Sequence, residues 1–107
     1  MGGRSPARDK SYAFTLDLVR TLRVVQQEQR EYVLTKQLMR SGTSIGANVE
    51  EANAAQSKKD FVAKMAVASK EARETDYWLR LLRDAGLLEQ KVAERLLTDC
   101  AELIRRS

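Results

Sequence analysis

Apolar and small side chains recur at steps of three and four residues along most of this chain of 107 residues. In the longest such stretch the pattern runs through three heptads, at Phe61, Met65, Ala68, Ala72, Thr75, Leu79 and Leu82. This spacing places the side chains on one face of an α-helix that packs in a bundle. With five glycines, one proline and 6% aromatic residues, the chain is poor material for a β-sandwich or β-barrel. The predicted fold class is therefore all-α.

Three further stretches have the same helical spacing. Phe14, Leu18, Leu22 and Val25 predict a first helix over about Ser11 to Gln27, and a second stripe runs from Leu34 to Ala52. A fourth helix has two adjacent stripes, one with Ala93, Leu97, Cys100 and Ile104 and the other with Val92, Leu96 and Leu103. Because the connections are short, we expect an antiparallel, up-down-up-down four-helix bundle that forms a single domain over residues 11–107. Residues 1–10 contain glycine, serine, proline and three cations, and are predicted to form a flexible basic arm.

Local signals mark some helix ends. Ser57 and Asp60 form a capping-box pattern that predicts the start of the third helix, and Gly86 predicts its end. No capping residue is identified in the polar connection from Gln27 to Glu31. The middle of the second helix is crowded with small residues, at Ser41, Gly42, Ser44, Gly46 and Ala47. These residues favour one long helix over a break near Gly42. Because their side chains are small, another helix can approach the middle of this helix closely.

Several function classes are disfavoured by composition. The chain has no histidine and a single cysteine, Cys100, so chemistry that uses a histidine base, histidine-ligated zinc and an internal disulfide are all excluded. The longest uninterrupted hydrophobic run is Met65 to Ala68, too short for a membrane span or the apolar core of a signal peptide. We expect a cytoplasmic protein with no metal, no cofactor and no membrane association.

The net charge is +4, with an estimated pI near 9.5. The excess lies in the first 30 residues, with six basic and three acidic side chains, and in Lys58–Gly86, with seven and five. Such mild basicity is compatible with binding to RNA or DNA, and equally with a solvated surface of mixed charge. The candidate nucleic-acid contacts are Arg4, Arg8, Lys10, Arg20, Arg23, Lys58, Lys59 and Arg73.

A second group of polar residues lies around the small residues of the second helix and on the third helix. Arg40, Ser44, Asn48 and Glu51 lie on adjoining faces of the second helix, and Glu71 and Glu74 lie one turn apart on the third. A buried network that fixes helix register or subunit contacts is favoured over a small binding site. Paired carboxylates can also do acid–base or metal chemistry. Because Lys70 and Arg73 stand nearby, ion pairing is favoured and an enzyme ranks last.

One segment resembles a known family. Gln37, Leu38 and Arg40, followed by Ser44, Ile45, Asn48, Val49 and Glu51, fill the pattern Gln-Leu-x-Arg, then Ser-Ile-x-x-Asn-Ile-x-Glu. Together with Phe61 and the run from Lys70 to Leu79, this pattern is similar to the four-helix-bundle proteins named after intervening sequences in bacterial 23S ribosomal RNA genes. The resemblance extends from about Lys10 to Arg106. Ala52, where many members have glycine, and the lack of proline in the first connection are two departures that do not threaten the fold.

The resemblance implies a bundle that assembles into a ring-like homopentamer, with no established enzymatic activity. A relative of the family, the accessory protein of diversity-generating retroelements, is a basic pentameric barrel that binds nucleic acid and a reverse transcriptase. The first hypothesis is therefore a non-enzymatic homo-oligomer that binds nucleic acid or a nucleoprotein partner. The alternative is a protein-interaction scaffold with no nucleic-acid role, because a charge of +4 is weak for a dedicated binder.

Overall fold

The structure is a computed structural model that describes residues 5–106, with only the backbone at position 106. It contains four α-helices, which are α1 (Pro6–Gln29), α2 (Val33–Asn53), α3 (Lys58–Asp84) and α4 (Gln90–Arg106). No strand occurs in residues 5–106, so the all-α prediction is confirmed for them. α1 and α3 each pack against both α2 and α4, and the most extensive contact is between α2 and α3. The result is a rod with extents of 44 × 21 × 21 Å.

The core lies where the four apolar faces meet. The predicted positions on α1 are buried, and so are most of those predicted on α2 and α3. α4 differs from the prediction, because its buried face takes residues from both predicted stripes: Ala93, Leu96, Cys100 and Leu103. Leu97 and Ile104 are partly buried and pack at the edge of the core. α4 has apolar residues on two adjacent faces. Its packing against α1 and α3 determines which of these residues are buried, and they are the ones that lie between the two faces.

α1 begins earlier than predicted. Its first residue is Pro6 rather than Ser11, so Arg8 and Lys10 lie on a helix, while Arg4 is outside the described residues. Ser5 is the N-cap, since its hydroxyl accepts a hydrogen bond from the backbone N–H of Arg8 at 3.2 Å. Proline is favoured at the first helical position, because the N–H that it lacks has no partner there. The Ser-Pro pair therefore starts the helix.

α2 is continuous through its small residues, as the long-helix interpretation predicts. A Cβ atom at Gly42 would lie 2.0 Å from Cδ2 of Leu18, a fully buried side chain of α1. At Gly46, a Cβ atom would lie 3.1 Å from Oγ1 of Thr15. α1 therefore packs against the backbone of α2 at a distance that leaves no room for a side chain at Gly42.

Hydroxyl groups join α2 to α3 at the same level of the bundle. Thr75 Oγ1 of α3 donates to Ser41 Oγ of α2 at 2.9 Å, and Ser41 donates to the carbonyl oxygen of Leu38 at 3.2 Å. Both side chains are fully buried. Their mutual hydrogen bond removes the cost of burying two unpaired hydroxyl groups.

The start of α2 has a cap that the sequence analysis missed. The Glu31 carboxylate accepts hydrogen bonds from the backbone N–H groups of Val33, Leu34 and Thr35 at 3.0, 2.8 and 2.9 Å. Partial burial alone would raise the pKa of Glu31, but the hydrogen bonds outweigh it and the pKa lies below its usual value. The carboxylate also lies at the positive end of the helix dipole.

Both ends of α3 follow their sequence signals. The Ser57 hydroxyl accepts a hydrogen bond from the Asp60 N–H at 3.0 Å, which confirms the predicted N-cap. At the other end Gly86 has a φ of 79°, a left-handed conformation that favours glycine. The Gly86 and Leu87 N–H groups donate to the carbonyl oxygens of Arg83 and Leu82, which is the Schellman arrangement.

The first turns of α3 are more exposed than predicted. Phe61, the first residue of the predicted apolar face, is 42% exposed, and the adjacent Val62 is 55% exposed. Cys100 of α4 lies against Ala72 of α3, and only six residues of α4 follow it. Six helical residues span about 9 Å, whereas Phe61 lies about 16 Å along α3 from Ala72. α4 therefore cannot cover Phe61.

Among residues 5–106, no helix combines the length and apolar character needed to cross a membrane.

We expect Gly42→Ala to lower the free energy of unfolding by about 1–3 kcal/mol, even though alanine favours helix formation. The cost arises because the new Cβ atom displaces Leu18 in a filled core. In a Leu18→Ala background the same substitution should cost at least about 1 kcal/mol less, because the clashing atom is gone. Urea unfolding of the four proteins in this double-mutant cycle measures the coupling. Simple additivity would contradict the proposed clash.

We expect Glu31→Ala to lower the free energy of unfolding by about 1 kcal/mol at neutral pH, because three N–H groups at the start of α2 lose their acceptor. The lowered pKa means that this stabilisation is present above pH 4.5 and is lost as the pH falls below it. The difference from wild type should therefore shrink in acid. Glu28→Ala, an exposed change near the end of α1, is the control. The measurement is denaturant unfolding at neutral pH and at a pH below 4.5.

Candidate functional site

Arg40 is the centre of the polar cluster on the α2–α3 side of the bundle. Its guanidinium donates to the Glu74 carboxylate and, at 3.4 Å, to Glu71. Glu74 in turn accepts the indole N–H of Trp78 at 3.1 Å. Glu71 is mostly buried, with 12% of its side chain exposed, so Arg40 supplies the positive charge that this carboxylate needs.

The two hydrogen bonds change the acidity of Glu74. The indole N–H of Trp78 and the guanidinium of Arg40 stabilise the charged carboxylate and hold the pKa of Glu74 below its usual value. Trp78 packs at the edge of the core and contacts Tyr77 edge-on, with ring centroids 5.1 Å apart. This cluster therefore joins the outer face of α2 to a part of α3 that packs against the core.

The other residues of the expected polar ladder lie in two separate groups. Asn48 donates to the carbonyl oxygen and hydroxyl of Ser44, one turn earlier on α2, at 2.9 and 3.1 Å. Glu51 pairs with Lys64 of α3 at 2.9 Å. The structure thus brings Arg40, Glu71 and Glu74 together, and it does not join Ser44, Asn48 or Glu51 to them.

The carboxylates are arranged for ion pairing rather than for a shared reaction. Glu50 pairs with Arg8 of α1, at 2.9 Å, while Glu51 faces Lys64. In the described residues, no group of three or more histidine, cysteine or acidic side chains is placed to hold a metal ion. Burial raises the pKa of the Cys100 thiol to about 12, which keeps it protonated.

Some of the candidate nucleic-acid contacts are bound by another side chain of the bundle, and others are not. Arg8 and Lys10 form ion pairs with Glu50 and Glu102, and Arg73 donates to the Ser69 hydroxyl at 2.8 Å. Within residues 5–106 no ion pair or hydrogen bond holds the exposed side chains of Arg20, Arg23, Lys58 and Lys59. The candidates that have no partner thus lie on α1 and at the start of α3.

A groove on the α1–α2 surface contains residues that the sequence analysis did not select. Its volume is about 460 Å³, and it is lined by Arg23, Gln26, Lys36, Met39, Arg40 and Thr43. Lys36 is exposed and lies one turn before Arg40. A signal was present in the sequence, because residues 32–49 contain two basic side chains and no acidic one.

Comparison with known proteins places these features in a family. Residues 5–106 match the family model described as 23S rRNA-intervening sequence protein. The crystal structure at 1.70 Å resolution of a protein with unknown function from the S23 ribosomal protein family, from Bacteroides thetaiotaomicron VPI-5482, is similar in sequence and fold. The two chains are 42% identical over 94% of this chain and 93% of that chain, with a TM-score of 0.91. No curated protein is significantly similar to this chain.

The Arg40 cluster makes the pH dependence of stability testable. Because the folded-state pKa of Glu74 lies below its usual 4.5, its stabilising contribution is present above pH 4.5 and is lost as the pH falls below it. We expect the difference in unfolding free energy between wild type and Glu74→Gln to shrink from about pH 6 to about pH 3. The change is modest, because solvent screens a carboxylate that is 35% exposed.

Trp78→Phe is the matched variant for this experiment, since it removes the indole N–H donor and keeps an aromatic ring. It should weaken the same pH dependence without abolishing it. Chemical denaturation at each pH is the measurement. Equal pH profiles for wild type and Glu74→Gln would contradict the assignment.

Proposed function

The chain belongs to the 23S rRNA-intervening sequence protein family, and from that premise we propose that it is a non-enzymatic, homo-oligomeric bundle that binds nucleic acid. The observation that carries the proposal is that four of the candidate cations are exposed and have no partner in the described residues: Arg20, Arg23, Lys58 and Lys59. Cations that no carboxylate neutralises are free to contact phosphates and release counterions. Contacts of this kind position a strand without reading its sequence.

The proposed topology is antiparallel and up-down-up-down. Contacts at both ends of the first helix pair support it. Arg8, near the start of α1, pairs with Glu50 near the end of α2, while Gln26 near the end of α1 donates to Thr35 near the start of α2 at 3.0 Å. The connections are also short, as in simple bundles.

The proposed assembly is a ring-like homopentamer. Its support is the family resemblance together with apolar side chains that one chain leaves exposed. On α1 these include Tyr12, which is 64% exposed, and Leu16; on α3 they include Phe61, Val62 and Val67. Apolar residues exposed on two different helices provide the two complementary surfaces that a ring requires.

The proposed non-enzymatic role is supported by the contacts of the carboxylates and of the thiol. Glu51, Glu71 and Glu74 each face a cation, and the Cys100 thiol is buried and protonated. These groups stabilise the helix bundle. The proposed location is the cytoplasm, where a single unpaired thiol is stable.

A second candidate function is a protein-interaction scaffold. The exposed apolar turns at the start of α3, with Phe61 and Val62, favour it, because such residues suit a protein surface. Nucleic-acid binding and scaffolding make different predictions about salt, so one experiment separates them.

We expect labelled RNA and single-stranded DNA to bind with micromolar or tighter affinity at about 50 mM salt, with log K falling linearly against log salt. Fluorescence anisotropy across a salt series is the measurement. It is made on a species whose mass is known from light scattering. Five chains of 12.1 kDa give a species of about 60 kDa.

Two results would contradict the proposal. Absence of binding at the lowest salt would favour the scaffold. Binding that salt does not weaken would show that phosphate contacts do not drive it. A mass other than five chains would overturn the pentamer and leave the nucleic-acid proposal standing.

A further inference from the structure

The acid-free parts of α1 and α2 come together in space. Residues 18–27 of α1 and 32–49 of α2 together hold four basic side chains and no acidic one. The groove of about 460 Å³ lies where these two segments meet, and its lining includes Arg23, Lys36 and Arg40. These two stretches, which only residues 28–31 separate, therefore concentrate positive charge where the two helices meet.

Some cations elsewhere on the bundle have a carboxylate partner, and others, such as Lys58 and Lys59, have none within residues 5–106. Arg8, Lys10, Lys64, Arg80 and Arg95 each form an ion pair with an aspartate or glutamate. Arg23 and Lys36 form none within residues 5–106, and no carboxylate lines the groove. Two neighbouring like charges without a counter-charge create a positive potential that an anion lowers.

Arg40 contributes differently from the other two cations. Glu71 and Glu74 accept two of its five N–H donors, and their two negative charges exceed its single positive charge. Arg40 also lines the groove, and its guanidinium forms no other hydrogen bond within residues 5–106. Arg40 therefore provides positioned hydrogen-bond donors, whereas Arg23 and Lys36 provide uncompensated charge.

The floor of the groove is partly apolar. Met39 lines it and packs against the hydrophobic core, beside the polar side chains of Gln26 and Thr43. A small hydrated anion does not use such a floor. A phosphate that carries a sugar does, because the sugar covers the apolar surface while the phosphate meets the cations.

We infer that this groove between α1 and α2 is a phosphate-binding site for the backbone of a nucleic-acid strand, with Arg23 and Lys36 as its charged contacts and Arg40 as a positioned donor. This inference rests on the proposed function and makes it specific. It singles out one groove among the unpaired cations, and it adds Lys36 to the contacts expected from the sequence.

The test compares two double variants that remove the same charge. The groove variant, Arg23→Ala with Lys36→Ala, removes the two unpaired cations of the groove. The α4 variant, Lys91→Ala with Arg105→Ala, removes one lysine and one arginine from exposed positions of α4. All four positions are exposed, so both variants should melt near the wild-type temperature in circular dichroism. Lys36→Arg is a third variant that keeps the charge.

With a labelled 20-nucleotide RNA, the groove variant should bind about tenfold or more weakly than wild type at low salt, and its log K against log salt slope should be shallower by about 1–2. The α4 variant should change both quantities much less, and Lys36→Arg should retain wild-type binding. If wild type binds RNA and the two double variants bind equally well, the groove inference is wrong while the proposed function stands.

A second arm uses inorganic phosphate, followed by the amide NMR signals of Met39 and Thr43. If phosphate shifts these signals in wild type and not in the groove variant, yet RNA does not bind, the groove holds a phosphate from another source. That outcome overturns the nucleic-acid proposal and the strand assignment. If RNA does not bind and phosphate does not shift these signals, both the proposed function and the groove inference are wrong.

Discussion

The close approach of α1 to α2 is the constraint on which the rest of the bundle depends. Gly42 leaves no space for a side chain because Leu18 fills the position that a Cβ atom would occupy. On the α3 side of α2, the Thr75 hydroxyl meets that of Ser41. Small and hydroxyl side chains thus let two helices approach α2 at the same level, and the larger core residues above and below fill the remaining volume.

This packing also determines what the outer face of α2 can do. Because Ser41 and Gly42 face inward, the longer polar side chains of α2 stand on the surface beside α1 and α3. On the α3 side Arg40 meets Glu71 and Glu74, while on the α1 side Lys36 stands near Arg23 without a carboxylate. One helix therefore has an ionic cluster with two carboxylates along one edge and a groove with no carboxylate in its lining along the other. The proposed phosphate site follows from this asymmetry.

Much of the fold could be predicted from residue spacing, because helical periodicity and capping are local properties. The predicted faces of α1, α2 and α3, the Ser57 cap and the Gly86 end all follow from residues within a few positions of one another. The errors have physical reasons as well. The Glu31 cap was missed because a glutamate two residues before a helix is not a common signal. Phe61 was expected in the core because spacing along α3 contains no information on where α4 ends.

Part of the candidate site could be predicted from the sequence, and part depends on the tertiary structure. By itself the sequence determined the all-α class, the continuous apolar faces, the family and the residues able to contact phosphate or pair with a carboxylate, since these depend on composition and local order. Only the tertiary structure decided which charges are neutralised. Glu51 meets Lys64 rather than Asn48, and Arg8 meets Glu50, whereas Arg23 and Lys36 meet no acid in the described residues. Ion pairing requires atoms within a few ångströms, and the packing of helices distant in sequence sets those distances.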